Sequence, residues 1–517
     1  MERRLSQEPV LGVDDIQGMI VPGYRKPAQN LLHFRITDVA SARSWLGSLG
    51  NQLASTAETQ KQHRRFKTLT ARFGREPRRF NAVFRGCAIS ASGLRQLVGA
   101  QAVAAFADEP FKVGLASRSG TLGDPPTGPG SPAQWIIGGS VNPIDIMVVV
   151  AGDEERRVED ATEALLQEAA ANGLSNIHLD RGRERLADQA GHEHFGFKDG
   201  ISRPALRGRN SEADDDFVEA RETVAPDYGG SNTLPFAGPG RPLLWPGQIL
   251  FGYDEQAQDQ PEIPAAATTH SGPDWAANGS FLVFRRLRQD VAAFNTFLET
   301  SAAFLNQQGW QPPLTAEKLG ALLVGRWRSG TPIMVSPAQD AGEDLATNDF
   351  GFNQARTIQD RSGPIQQPAD ADGLICPRGA HIRKVNPRDL TTDRGQASRT
   401  LLKLLLRRGI TYDLSLTGAP ELADKNDRGL LFLAFQRSIE DGFEFLMKTW
   451  VRRAERPESD AGHDPILSSR GNGRFIKLHN NENGFNLTIP GGWVLPTGGE
   501  YFFMPSRSFF RNLNVMA

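Results

Sequence analysis

Residues 144–173 read IDIMVVVAGDEERRVEDATEALLQEAAANG. An apolar, β-branched run of strand length gives way to a charged stretch in which Val158, Ala161, Leu165 and Ala169 recur at helical spacing. Gly173 is a natural stop for that helix. The unit is a buried strand followed by an amphipathic helix. Working outward, FNAVFRGCAIS (80–90) reads as a strand and ASGLRQLVGA (91–100) as a helix directly after it. A comparable order recurs downstream. GSFLVFRRL (279–287) is a strand, RQDVAAFNTFLETSAAFL (288–305) is a helix with Val291, Phe294 and Leu298 on one stripe, and RGLLFLAFQRSI (428–439) leads into EDGFEFLMKTWVRR (440–453). No residue-level repeat accompanies this duplication. The pattern predicts an α+β fold of two halves, each a mostly antiparallel sheet covered by helices.

At 517 residues the chain exceeds what one core usually supports. The loop-rich stretch around 205–240 divides it into 1–225 and 226–517. A net charge of -2 and 23% charged residues give no sign of a nucleic-acid binder. No apolar run reaches the roughly 18–20 residues of a membrane span, and Glu8, Asp14 and Asp15 interrupt any signal-peptide core. Two cysteines, Cys87 and Cys376, make no disulfide framework or paired metal knuckle and fit a reducing cytoplasm.

Three segments could carry chemistry. GHEHFGFKDGISRP (191–204) holds Asp199 in a turn-like setting between glycines, and its H-x-H, His192 and His194, would on a strand point both imidazoles one way, as a metal pair does. No third ligand accompanies them, and loop histidines are the plainer account. CPRGAHIRKVNPRDL (376–390) centres on His381, followed by Arg383, Lys384 and Arg388. That is either a basic surface turn or a ligand whose neighbouring cations bind an anionic cofactor. LLKLLLRRGITYD (401–413) carries Arg407 and Arg408 at the end of an apolar run, where a guanidinium drawn inward needs an anionic partner such as Asp199.

In this order, G-F-K-D-G (196–200), G-A-H-I-R-K-V-N-P-R (379–388) and R-R-G-I-T-Y (407–412) resemble the dye-decolorizing peroxidases, a haem family. The likeness extends to DDIQGMIVPGY (14–24), SIEDGFEFLMKTW (438–450) and GGEYFFMPS (498–506), essentially the full length. It implies two ferredoxin-like halves and one haem b per chain, held mainly by the C-terminal half. It also implies His381 as proximal iron ligand, Asp199 as distal acid–base and Arg407 as distal arginine, or Arg408 if the register shifts by one. Arg383 is similar to an arginine that pairs with a haem propionate, Glu440 to the acid that accepts a hydrogen bond from the proximal imidazole, and Gly200 to a glycine letting backbone approach the porphyrin, with Phe195 and Phe197 excluding water.

The implied activity is peroxide-dependent oxidation of dyes, phenols and lignin-like aromatics, with oxidation of bulky donors at a surface Trp or Tyr. Hydrogen peroxide and aromatic reductants are the implied partners, and a homo-oligomer is compatible with the pattern. The rival readings are a haem-handling protein with incidental peroxidase activity and a non-haem metalloprotein built on His192 and His194. Asp413 departs from the family, where many relatives carry glycine. The ending FFRNLNVMA offers no Gly/Ser tail for docking into a nanocompartment, so a free cytoplasmic enzyme is expected.

Overall fold

The computed structural model describes residues 8–74, 82–219, 221, 237–238, 240–259, 264–268, 272–360, 363–413, 426–468, 471–480 and 483–513. Its main sheet contains β1 (Ala28–Ile36), β2 (Val83–Ser90), β3 (Ile146–Gly152), β4 (Leu174–Arg183), β5 (Ser280–Gln289), β6 (Leu406–Arg407), β7 (Ile410–Asp413), β8 (Arg428–Gln436) and β9 (Val494–Met504).

The first half runs β1, helix α1 (Val39–Leu49), β2, β3, helix α2 (Glu155–Ala171), β4, and its spatial order is β4-β1-β3-β2. The second half repeats this order as β9-β5-β8-β7, with helix α3 (Val291–Gln307) after its first strand. Both halves are therefore ferredoxin-like, as the family resemblance implies, and each is the helix-covered antiparallel sheet that the duplicated patterns predict.

The halves do not stand apart. β2 pairs with β9 through Phe502↔Ser90 and Phe503↔Ile89, and β4 meets β7 at Tyr412↔Gly182, so the sheet closes on itself as an eight-stranded barrel with β6 appended to β8. Closure removes the open edges that two separate sheets would expose. The expected boundary at 225/226 lies outside the described residues.

Closure also explains the unbroken apolar run in β3. Val148 and Val150 pack outward under the helices, while Met147, Val149 and Ala151 point into the barrel against Leu282, Phe284, Leu431 and Phe502 of the other half. A strand buried on both faces has no reason to alternate polar and apolar residues. Helix α2 buries Val158, Thr162, Leu165 and Ala169, so Thr162 takes the inward place expected of Ala161. The Thr162 hydroxyl bonds Val158 carbonyl at 2.7 Å and accepts from Asn30 at 3.0 Å, which satisfies it in the interior.

Some structure lies where the sequence reads as loop. Residues Thr56–Phe73 form a helix opened by a capping box between Ser55 and Glu58. Its buried side chains, Thr56, Thr59 and Gln60, are polar or small, so it lacks the apolar stripe that periodicity detects. Arg356–Asp360 and Gly363–Gln367 pair as a hairpin.

The β4–β7 contact is one residue pair wide, and Gly182 permits it. A Cβ there would lie 2.4 Å from Ile410 Cγ2 and 2.9 Å from Gln29 carbonyl oxygen. We expect Gly182→Val to force the halves apart and cost about 3 kcal/mol, read as a lowered midpoint in denaturant unfolding; an unchanged midpoint would mean that this seam carries no strain.

Candidate active site

The site lies on the C-terminal half, where one cavity is bordered by three segments far apart in sequence. His381 opens a short helix, His381–Val385, after the turn in which Ala380 N–H donates to Pro377 carbonyl at 2.8 Å. Its Nδ1 lies 2.8 Å from Oδ2 of Asp464, a fully buried carboxylate. Burial pushes the Asp464 carboxyl up, but the His381 charge, its hydrogen bond and the N–H groups of Leu467 and Ile466 hold it below the usual carboxylate value. An ionised Asp464 can only accept, so Nδ1 carries a hydrogen toward it, and in the neutral imidazole the lone pair is therefore on Nε2. The imidazole, about one quarter exposed at 26%, borders the cavity.

Asp199 borders the same cavity from the N-terminal half. Its loop is folded back on itself: Asp199 N–H donates to Gly191 carbonyl at 2.9 Å and Lys198 N–H to Arg328 carbonyl at 3.0 Å. The carboxylate Oδ1 accepts from Gly200 N–H at 2.6 Å and from Arg407 Nη1 at 3.0 Å. Burial raises the Asp199 carboxyl; Arg407, the Gly200 N–H and the charge of His381 more than offset this, leaving it below its ordinary value. Gly200 has φ of +75°, and a Cβ there would meet nothing within 4 Å. The residue keeps the turn and leaves the cavity wall open.

Arg407 sits on β6, and its Nη2 also donates to Ser202 carbonyl at 3.1 Å. Its neighbour Arg408 turns away, as alternation along a strand requires. Arg408 donates to the carbonyls of Met19 and Ile20 at 3.2 and 2.8 Å. The arginine that meets Asp199 is Arg407.

Two expected placements fail. Glu440 is exposed at the start of a π-helical segment, with its N–H on Asp108 at 3.2 Å, and it does not border the cavity. The acid on the His381 imidazole is Asp464. From the same π-helical region Phe443, Leu446, Met447 and Val451 face the cavity instead, a wall in which a carboxylate would be unpaired. Arg383 is fully buried behind the site. Two residues along a helix are about 200° apart, so His381 and Arg383 cannot face one side. Its guanidinium bonds Glu458 at 2.8 and 2.7 Å, Asp370 Oδ2 at 3.2 Å, and the carbonyls of Asp370, Cys376 and Ala371, leaving no donor for a cofactor.

His192 and His194 diverge. His192 Nδ1 lies 3.0 Å from Ala190 carbonyl and His194 Nε2 lies 2.9 Å from Tyr412 carbonyl. No metal-holding group of three ligands occurs among the described residues. Between them Glu193, passed over in sequence, accepts from Phe195 and Phe197 N–H at 2.9 and 2.8 Å and from the Gln289 amide, which ties the Asp199 loop to the end of β5. Phe195 and Phe197 are buried beside the cavity.

Comparison with known proteins bears on this geometry. Residues 15–185 match the family model described as the DyP dimeric alpha+beta barrel domain, a span that contains the whole first half. The chain is 32% identical to dye-decolorizing peroxidase msp1 of Mycetinis scorodonius over 97% of its own length and 88% of the relative's. The chain belongs to the dye-decolorizing peroxidases. It is also 29% identical to the multifunctional dye peroxidase DyP2 of an Amycolatopsis species, covering 97% of this chain and 96% of that one. An ancestral D-type dye-decolorizing peroxidase superposes with a TM-score of 0.74 at 31% identity, covering 97% of this chain and 99% of that one.

Dye-decolorizing peroxidases are haem b enzymes, and the residues present fit that group. A planar macrocycle with two carboxylates needs apolar walls, an imidazole with a free lone pair and cations at one edge. Phe432, Phe443, Leu446 and Val451 supply the walls and His381 the imidazole. Arg326 and Arg388 supply the cations. Arg326 is buried, yet its hydrogen bonds go to the carbonyls of Gly330 and Thr347 at 2.8 Å and to Asn348, with no ion pair among the described residues. Burial, then the charges of Arg388 and Arg407, pull it down to about 9, the condition of a cation that lacks its anion.

The Asp199–Arg407 pair sets a pH expectation. If Asp199 is the group that takes the proton from peroxide, the rate of that reaction should hold on acidification until the pH falls below the ordinary carboxyl value of 3.8. Arg407→Leu removes the largest lowering influence, and we expect stopped-flow pH profiles to show the acid limb shifted upward; an unshifted limb would mean that another group sets it.

Proposed function

We propose that this chain is a haem peroxidase that reduces hydrogen peroxide and oxidises dyes and phenolic aromatics, with His381 as iron ligand, Asp199 as proton carrier and Arg407 as the electrostatic partner of bond cleavage. The observation that carries the proposal is that a carboxylate-bound imidazole and a carboxylate–guanidinium pair border one and the same cavity. Haem, when bound, supplies the iron at which peroxide is split and where two oxidising equivalents are held.

The remaining work falls to the chain. Asp199, ionised and fixed by Gly200 and Arg407, takes the proton from one peroxide oxygen and delivers it to the other, which leaves as water. Negative charge on the departing oxygen falls beside the Arg407 guanidinium, held in place by Asp199 and Ser202 before the reaction begins. Asp464 keeps Nδ1 of His381 protonated and directs Nε2 to the metal. Two phenolic donors, each giving up one electron and one proton, would supply the two electrons and two protons that turn the second peroxide oxygen into water.

The buried, unpaired thiols of Cys87 and Cys376 support a cytoplasmic setting.

The test is spectroscopic and kinetic. Asp199→Ala should keep its Soret band and lose about 10²–10⁴-fold in the rate of reaction with peroxide. His381→Ala should lose the band altogether. Full dye turnover in Asp199→Ala would sink the assignment and favour a haem-carrying role.

A further inference from the structure

A second basic group adjoins the cavity beyond Arg407 and is distinct from Arg326 and Arg388. The parallel pair Ala205↔Leu243 and Leu206↔Leu244 brings the preceding segments alongside each other, so Arg203 and Arg241, each two residues before that pair, lie in register. Arg203 borders the cavity together with Pro204 and Pro242. Arg408 lies on the far side of the Arg407 backbone, where it packs on Gly23, and two residues further Arg25 emerges to solvent. The charges of Arg25, Arg203 and Arg241 act on one another, and all three act on Arg408, which burial first and these neighbours next pull down to about 9.

Among the described residues the acid set against these four guanidiniums is Glu219, which pairs with Arg241 at 3.3 Å. Neither Arg25 nor Arg203 makes a hydrogen bond or an ion pair among the described residues. Arg25 also has φ of +51°, a conformation an arginine adopts only at a cost. Clustered like charges with strained backbone are costly to hold unless an anion joins them.

The two basic groups differ in what they can hold. Arg326 is buried, as suits a permanently bound carboxylate, whereas Arg25 is exposed and Arg203 half-buried, as suits a ligand that comes and goes. We infer that Arg25, Arg203 and Arg241 form a subsite at the cavity mouth for the acid group of an aromatic reducing substrate, a carboxylate or sulfonate whose ring rests on Pro204 and Pro242. Arg203 directly follows Ser202, whose carbonyl accepts from Arg407 at 3.1 Å, so a donor held there would lie beside the Asp199–Arg407 pair. This inference rests on the peroxidase reading and names its donor class.

The test compares two donors with one ring, 2,6-dimethoxyphenol and the same phenol bearing a 4-carboxylate, on the haem-loaded enzyme with peroxide. In Arg25→Gln/Arg203→Gln the ratio of KM for the carboxylate to KM for the neutral phenol should rise about tenfold, the scale of one lost charge-assisted hydrogen bond. An unchanged ratio overturns the inference. Loss of the Soret band also overturns it, since these guanidiniums would then be holding the haem carboxylates. The unsubstituted enzyme gives an independent reading if the double variant fails to fold. Raising salt from about 20 to about 200 mM should raise KM for the carboxylate donor alone, and a parallel rise for both donors counts against the subsite. Absence of turnover with either donor would instead remove the peroxidase reading itself; turnover with an unchanged ratio removes only the subsite.

Discussion

The hydrogen-bonded ion pair between Asp199 and Arg407 joins residues 208 apart in sequence, one from each half of the barrel. Its geometry depends on closure. Arg407 is placed by β6 pairing with β8, and Asp199 by a loop anchored to the end of β5 through Glu193 and Gln289. Each group changes the other's chemistry. A carboxylate in this position would be pushed toward its neutral form by burial, and the guanidinium keeps it ionised and able to accept a proton. The guanidinium in turn is held still by Asp199 and the Ser202 carbonyl, and in the proposed reaction such a fixed charge would be in place before negative charge develops.

The His381 side of the cavity follows the same logic with different residues. Asp464 is held by two backbone N–H groups of its own turn, Ile466 and Leu467, both at 2.8 Å, so it is fixed before it meets His381. A buried carboxylate that accepts from the backbone and from an imidazole has little reason to take up a proton. The imidazole is thus oriented by a group already rigid, and its second nitrogen is left for the cavity. The cavity wall between the two sides is largely apolar, drawn from β8 and the π-helical segment after it. Excluding water there strengthens each of these polar contacts.

The cations around the cavity sort by burial. Arg383 is the most enclosed and the most fully bonded, and its function is to hold the segment behind His381 together. Arg326 is also buried but has no acid partner among the described residues. Arg203 and Arg25 are partly or largely exposed and, among the described residues, make no ion pair. Residue type alone does not separate these roles; what separates them is whether a carboxylate of the chain already occupies the guanidinium fork.

The residues from Ile144 to Gly173, and the matching pattern around β5 and α3, determined the α+β class and the duplicated strand-and-helix units, because strand and helix periodicities are local properties, while the ferredoxin-like order was implied by the resemblance of the ordered motifs. Three ordered motifs likewise carried Asp199, His381 and Arg407 in sequence. Other features were decided only in three dimensions. Asp464 could not be matched to His381, 83 residues away, because its sole local sign is an Asp before a proline, common to many turns. Glu440 and Arg383 stand at suggestive positions in the chain but face the wrong way, since direction is set by helix phase and packing rather than by spacing. Closure of two sheets into one barrel, and with it the meeting of residues 199 and 407, rests on strand-edge pairings as narrow as Tyr412 with Gly182, which no local pattern announces.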